Sequence, residues 1–316
     1  MQHAHRMDAL SLVSPETPAV VFVNPSAAGG RTQTCLPRIK NLFAARQFHS
    51  EFVFTPSREE LESRTRAAIA AGHRLLLAMG GDGTLQVLVN AAYGSDVVFG
   101  ILPTGGGNDF AAALGLPKNP LAAARAILDA EPRAVDLLRA RTADGRERLY
   151  IGGGGVGLDA ESAGHAASYR RVPGRLRYIV AALHALIEFA PLRVRADFPG
   201  NESPSIEEKV LLAAVLNTPS YGAGIRLAPM AQMDDGLLTA ILVEDIRAFQ
   251  VLALLPRLVT RGDLPDSHLQ RVSAKRVRLT PDRPCLFHGD GEILGPAPVE
   301  IEVLPRAIRI LAPAPR

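Results

Sequence analysis

Tryptophan is absent from the 316-residue chain, cysteine occurs twice, and aromatic residues make up 5 % of it. Two thiols as far apart as Cys35 and Cys285 exclude a disulfide framework, and the reading is two reduced cysteines. No apolar stretch reaches the roughly 18 residues that cross a bilayer, and Met1 to Leu12 lack the charged, apolar, then small order of a secretory leader. A cytoplasmic protein is expected. Lysine is confined to Lys40, Lys118, Lys209 and Lys275, so almost all of the 35 basic residues are arginine. Against 32 acidic residues the net charge is +3, too small to argue for nucleic acid as a partner, and no aromatic residues alternate with a basic run. A phosphate-loop lysine, a protein-kinase catalytic loop and any His/Cys cluster with zinc spacing are also missing. The eight histidines, His165 and His288 among them, are scattered and read as structural or surface residues.

What is present is a globular composition, 47 % hydrophobic and 21 % charged, in a chain long enough for about two domains. Ala19 to Val23 reads as a buried strand running into Asn24-Pro25. Helical spacing follows over Arg31 to Arg46, a strand over Phe48 to Thr55, and a helix over Ser57 to Ala71 started by Ser57 with Glu60 three residues on. Leu75 to Met79 and Val97 to Leu102 are further strands, with helices over Leu85 to Ala92, Phe110 to Leu114 and Leu121 to Ala130. This alternation predicts an α/β domain with a parallel sheet over residues 16–135, completed by 306–316. From about Ala134 strand signals such as Leu149 to Ile151, Val210 to Leu216 and Leu238 to Val243 follow one another without helices between them. They predict an antiparallel β-sandwich over 136–305. One helix interrupts it, Arg175 to Ala190. Arg170, Arg171, Arg175 and Arg177 front it, and that pattern suits either a sheet cover or an anionic membrane surface.

Three glycine-bearing loops follow three predicted strands: Asn24 to Gly30, Gly80-Gly81-Asp82-Gly83-Thr84, and Pro103 to Phe110. In one parallel sheet they would collect at its carboxyl edge, where backbone amides and a helix N-terminus hold phosphate. Asp82 would repel phosphate, which suggests an intervening cation or a hydrogen bond to the ligand. A turn kept for geometry alone is the alternative. In the second domain Asp234-Asp235-Gly236 suits a hard cation or a plain turn. Asp290 and Glu292 alternate: if the segment is extended both carboxylates lie on one face, and the other reading is a plain hairpin turn. Gly152, Gly154 and Gly157 satisfy a dinucleotide-loop spacing but lack the acidic residue a ribose needs, and the segment around Ser162 lacks the strand a nucleophile elbow needs.

Taken in order, these segments resemble the soluble bacterial diacylglycerol kinases, lipid kinases related to eukaryotic diacylglycerol, sphingosine and ceramide kinases. The family's first loop is similar to Asn24 to Ala28, its GGDGT loop to Gly80 to Thr84, and its next asparagine to Asn90. Its Asn-Asp-Phe-Ala segment is similar to the stretch ending at Ala111, its second-domain glycine motif to Gly155 to Ala160, and its Asp-Gly-Glu to Asp290 to Glu292. The resemblance implies a site in a cleft between the two domains. It implies ATP at Asn24, Pro25, Ser26, Ala27, Ala28, Thr55, Gly80, Gly81, Asp82, Gly83, Thr84, Leu85, Gln86, Gly105, Gly106, Asn108 and Asp109. It implies Mg2+ at Asp235 with the main chain of Gln232 and Leu237, and catalysis by Asp82, Asp290 and Glu292, with Asp290 the preferred base. The partners it implies are a lipid alcohol substrate and a peripheral membrane surface at the inner face; a homodimer is left open. The chain departs from the family pattern at Gly106, Gln86 and Val87, which bears on the choice of ATP or GTP. Two other readings remain at this point: a kinase of a soluble alcohol, as in NAD kinases, and a non-catalytic lipid-binding regulator.

Overall fold

Five apolar residues, three of them valine, suit a strand buried on both faces, and Ala19–Val23 forms β1 with all five side chains buried. The computed structural model describes residues 9–27, 31–157, 190–222, 224–245, 257 and 263–314. Their contacts define two units, Met1–Val135 with Arg306–Arg316, and Asp136–Pro305.

In the first unit β1 pairs in parallel with β2 (Ser50–Phe54) on one side and β3 (Leu75–Gly80) on the other, and β3 pairs with β4 (Val98–Pro103). Helices α1 (Arg31–Ala45), α2 (Arg58–Ala70), α3 (Asp82–Ala92), α4 (Asp109–Ala113) and α5 (Pro120–Leu128) connect or follow these strands. Local chemistry sets where they start. The Ser57 hydroxyl accepts the Glu60 N–H at 3.2 Å ahead of α2, and the Asn119 side chain accepts the N–H groups of Leu121 and Ala122 ahead of α5, with Pro120 in the first turn. Because β1 lies between β2 and β3, the strand order reverses beside it, and the loops after β1 and β3 flank the crevice where open α/β sheets bind ligands.

The second unit is antiparallel. The strands are β5 (Glu131–Arg141, which begins in the first unit), β6 (Glu147–Tyr150), β7 (Gly153–Gly157), β8 (Leu192–Asp197), β9 (Ile206–Leu216), β10 (Leu238–Glu244), β11 (Leu269–Ala274), β12 (Arg276–Pro281), β13 (Leu286–Gly289), β14 (Glu292–Pro296) and β15 (Val299–Ala312). They run in the order β14-β13-β7-β9-β8-β12-β15, and β10 joins β9 to β11. Along β8 the period of two is plain: Leu192, Val194 and Ala196 are buried while Arg193 and Arg195 face out. Residues Arg306 onward in β15 return to the first unit, where Arg309 and Ile310 pair in parallel with Val98 and Phe99. The helix expected over Arg175 to Ala190, like Ala28 and the end of the Gly155 to Ala160 motif, lies outside the described residues apart from Ala190 and Gly155 to Gly157.

Candidate active site

The carboxyl ends of β1, β3 and β4 converge, and hydrogen bonds between residues far apart in sequence hold them. The Asn24 amide donates to the Thr84 hydroxyl at 3.2 Å, and the Asn24 side-chain oxygen accepts the N–H of Ser26, so one residue fixes its own turn and the start of α3. Thr104 and Gly105 both donate their backbone N–H to the Gly80 carbonyl, at 2.8 and 3.1 Å. Behind the loops the fully buried Thr32 hydroxyl donates to Thr104 at 2.8 Å. Glycine is required here by contact: a Cβ on Gly105 would lie 2.6 Å from the Gly81 Cα and 2.8 Å from the Asn108 side-chain oxygen. Asn108 holds the opposite end of this loop in a left-handed conformation (φ 60°) with its amide on the Gly105 carbonyl.

Asp82 has a structural duty that the sequence did not suggest. One carboxylate oxygen accepts the N–H of Phe110 at 3.2 Å, so Asp82, in the first turn of α3, caps α4 and joins the second glycine loop to the third. Thr55 is buried at the end of β2, its N–H on the Val23 carbonyl, and Gln86 is buried on α3 with its oxygen near the Arg58 guanidinium at 3.4 Å. Asn90 donates back to the Gln86 carbonyl. Gly106 is exposed, and Val87 is buried where a charged side chain would need a partner.

In the second unit Asp290 and Glu292 do not share a face: of the two readings of this segment, the structure has the hairpin turn. Gly289 pairs with Glu292, which leaves Asp290-Gly291 as a two-residue turn with both φ positive, 48° and 92°. Such a turn ends the extended geometry on which the alternation depended. Asp290 turns inward and Glu292 stays exposed on β14. The buried carboxylate accepts three successive backbone N–H groups: Ile151 at 2.6 Å on one oxygen, Gly152 at 2.9 Å and Gly153 at 3.2 Å on the other. Burial pushes its pKa up to about 6, and the three amides pull the other way without cancelling it. The fully buried Tyr150 neighbours it, its own pKa pushed up by burial and then by the Asp290 charge. Gly152, discounted above as part of a dinucleotide loop, thus has a partner 138 residues further on. Asn217 braces the same segment: its amide donates to the Asp136 and Ile151 carbonyls and its N–H to the Gly152 carbonyl.

Two family models match this chain: residues 18–140 match the diacylglycerol kinase catalytic domain, and 154–312 match the YegS C-terminal NAD kinase beta sandwich-like domain. A diacylglycerol kinase from Mycobacterium tuberculosis is 32 % identical over 249 residues, covering 78 % of this chain and 79 % of that protein. The chain belongs to the diacylglycerol kinase family. A diacylglycerol kinase from Bacillus subtilis is 27 % identical over 255 residues, covering 79 % and 82 %. The fold agrees as well. A crystal structure of a diacylglycerol kinase from Bacillus anthracis superposes with a TM-score of 0.71 at 20 % identity over 94 % of this chain and 97 % of that one, and a second structure from that organism gives 0.76 at 21 % identity over 99 % of both.

Family members are kinases, and a kinase needs a divalent cation beside its phosphates. Apart from that cation, the turn from Gln232 to Leu237 in the second unit offers the exposed Asp235 carboxylate and the backbone carbonyls of Gln232 and Leu237, oxygen donors that suit a structural Mg2+. Asp235 accepts the Leu237 N–H at 2.9 Å, and the buried Asp136 staples the turn by accepting the Gly236 N–H at 2.7 Å and donating its own N–H to the Met233 carbonyl at 2.6 Å. No three His, Cys, Asp or Glu side chains gather into a metal cluster among the described residues, so an ion here would depend on carbonyls and water. Among the described residues, no helix is long and apolar enough to cross a membrane. Three features were not read from the sequence: the amides of Ile151 to Gly153, the brace at Asn217, and His288, which is buried and has no hydrogen-bond partner on either ring nitrogen. His288 was expected to be an ordinary structural or surface residue. A polar ring left unpaired inside a protein costs about 1–3 kcal/mol.

Proposed function

We propose that this diacylglycerol kinase family member is an ATP-dependent lipid kinase whose acceptor is a diacylglycerol-like alcohol. The acceptor oxygen forms a bond to the γ-phosphorus of ATP, the bond from that phosphorus to the β,γ-bridging oxygen breaks, ADP leaves, and the hydroxyl proton goes to Asp290. The observation that carries this reading is the Asp290 carboxyl, turned inward, clamped by three amides and raised to about 6, so that it is ionised at neutral pH yet basic enough to take a proton. Glu292, exposed and two residues on, is placed to meet solvent or a cation.

The glycine loops support nucleotide binding in the first unit. Gly81, Gly83 and Gly106 bring backbone close to where phosphate oxygens would sit without side-chain obstruction, and the start of α3 adds a partial positive charge. Asn24, Thr84 and Asn108 hold those amides in place, and Asp82 and Asp109 bring negative charge to the loops. Mg2+ would neutralise phosphate charge when bound, with Asp82 as the residue proposed to hold it, and the Asp235 turn is proposed to hold a separate, structural Mg2+. The test is the pH profile of turnover: kcat for lipid phosphorylation rises through about pH 6 to a plateau, and Asp290→Asn abolishes turnover by a factor of about 100 or more. A flat profile from pH 5 to 8 in the wild type would remove Asp290 as the base.

A further inference from the structure

The β13–β14 hairpin carries a buried side chain that the proposed reaction does not use. His288 is 6 % exposed, and neither ring nitrogen has a partner. Buried polar groups are paired in the great majority of cases, so two empty nitrogens point to a ligand atom that supplies what the protein does not. The surroundings indicate which kind. His288 stands opposite Ile293 on β14 and opposite Gly155 on β7, and directly opposed residues of antiparallel strands project to the same face. Gly155 adds no side chain there. The irregularity in this pairing puts its extra residue, Leu294, on β14, so alternation along β13 is intact and Leu286 shares the face of His288. Leu286 is 44 % exposed and Ile293 is 59 % exposed, two of the large apolar side chains left open to solvent among the described residues. One hydrogen-bonding ring between two open aliphatic side chains is the composition that an ester oxygen joined to an acyl chain calls for.

We propose that Leu286, His288 and Ile293 form the subsite for the acyl-ester part of the acceptor, with an imidazole N–H donating to an ester carbonyl of diacylglycerol and the two aliphatic side chains holding the acyl chain. This rests on the lipid-kinase reading and deepens it, because a soluble alcohol gains nothing from exposed leucine and isoleucine. The experiment is calorimetric binding of dioctanoylglycerol to the full chain, beside its phosphorylation, in the wild type, His288→Leu, His288→Gln and Ile293→Asp. Leucine in place of His288 weakens lipid binding about tenfold, the loss expected of one hydrogen bond, while the KM for ATP is unchanged. Glutamine keeps a donor and restores part of the affinity, and Ile293→Asp weakens binding as well. His288→Leu also keeps or raises Tm, because an unpaired polar ring gives way to an apolar side chain. If a protein that phosphorylates dioctanoylglycerol binds it equally well with Leu at 288, the subsite is wrong and the kinase reading stands. Lost lipid binding together with a lower Tm and weaker ATP binding also overturns the subsite, since His288 then acts only on the fold. A wild type that neither binds nor phosphorylates the lipid overturns the kinase reading and the subsite with it.

Discussion

Asp290 is half-buried, and its carboxyl, turned inward onto three backbone N–H groups, is under two opposed demands, of which desolvation prevails. The consequence for stability follows from linkage. The folded protein binds this proton more tightly than the unfolded chain does, so the protonated carboxyl stabilises the fold fully below its ordinary value of 3.8, and that contribution is lost as pH rises through about 6. A shift of about two units corresponds to about 3 kcal/mol. Urea unfolding of the wild type and Asp290→Asn should therefore show a stability difference that moves in favour of the variant by about that amount between pH 4 and pH 8. A difference independent of pH would mean that Asp290 titrates normally. Asp82 makes a different prediction. Its carboxylate caps α4 through Phe110, so Asp82→Ala lowers stability by about 1 kcal/mol even without nucleotide, measured by thermal unfolding of the nucleotide-free protein.

At the level of elements, the glycine loops act through their mutual contact. Gly105→Ala puts a methyl group 2.6 Å from the Gly81 backbone, so the second and third loops must separate. ATP binding should weaken at least tenfold and stability fall by about 1–3 kcal/mol, as titration and denaturant unfolding would show. Thr32 and Thr104 couple α1 to the end of β4, and a double-mutant cycle of Thr32→Val and Thr104→Val should give a coupling of about 1 kcal/mol; additive losses would show that the hydrogen bond contributes nothing. Most of these elements were legible in the sequence because their signals are local. The run Ala19 to Val23 sits between turn residues, Ser57 and Glu60 mark the start of α2, and loops that end parallel strands must collect at one edge. The second-unit site was not legible for the opposite reason. Ile151 to Gly153 and Asp290 meet across 137 to 139 residues, and read along the chain the alternation at Asp290 and Glu292 fits an extended segment as well as the hairpin turn that forms.

For the whole molecule, a parallel sheet carrying the glycine loops and an antiparallel sandwich are joined twice, by β5 leaving the first unit and by β15 returning to it. Membership of the diacylglycerol kinase family supplies the chemical class, and the residues described here supply the roles proposed within it. The departures from the family pattern lie in the third glycine loop at Gly106 and on α3 at Gln86 and Val87, and on the proposed function they bear on the choice of nucleotide more than on transfer itself. The most direct measurement is transfer of labelled phosphate from γ-labelled ATP into dioctanoylglycerol with Mg2+, comparing the wild type with Asp290→Asn at pH 7.5. Label in the lipid with wild type, reduced about 100-fold or more by Asp290→Asn while ATP still binds, is the expected result. Equal transfer by both proteins, or no transfer by a wild type that binds ATP and the lipid, would contradict it.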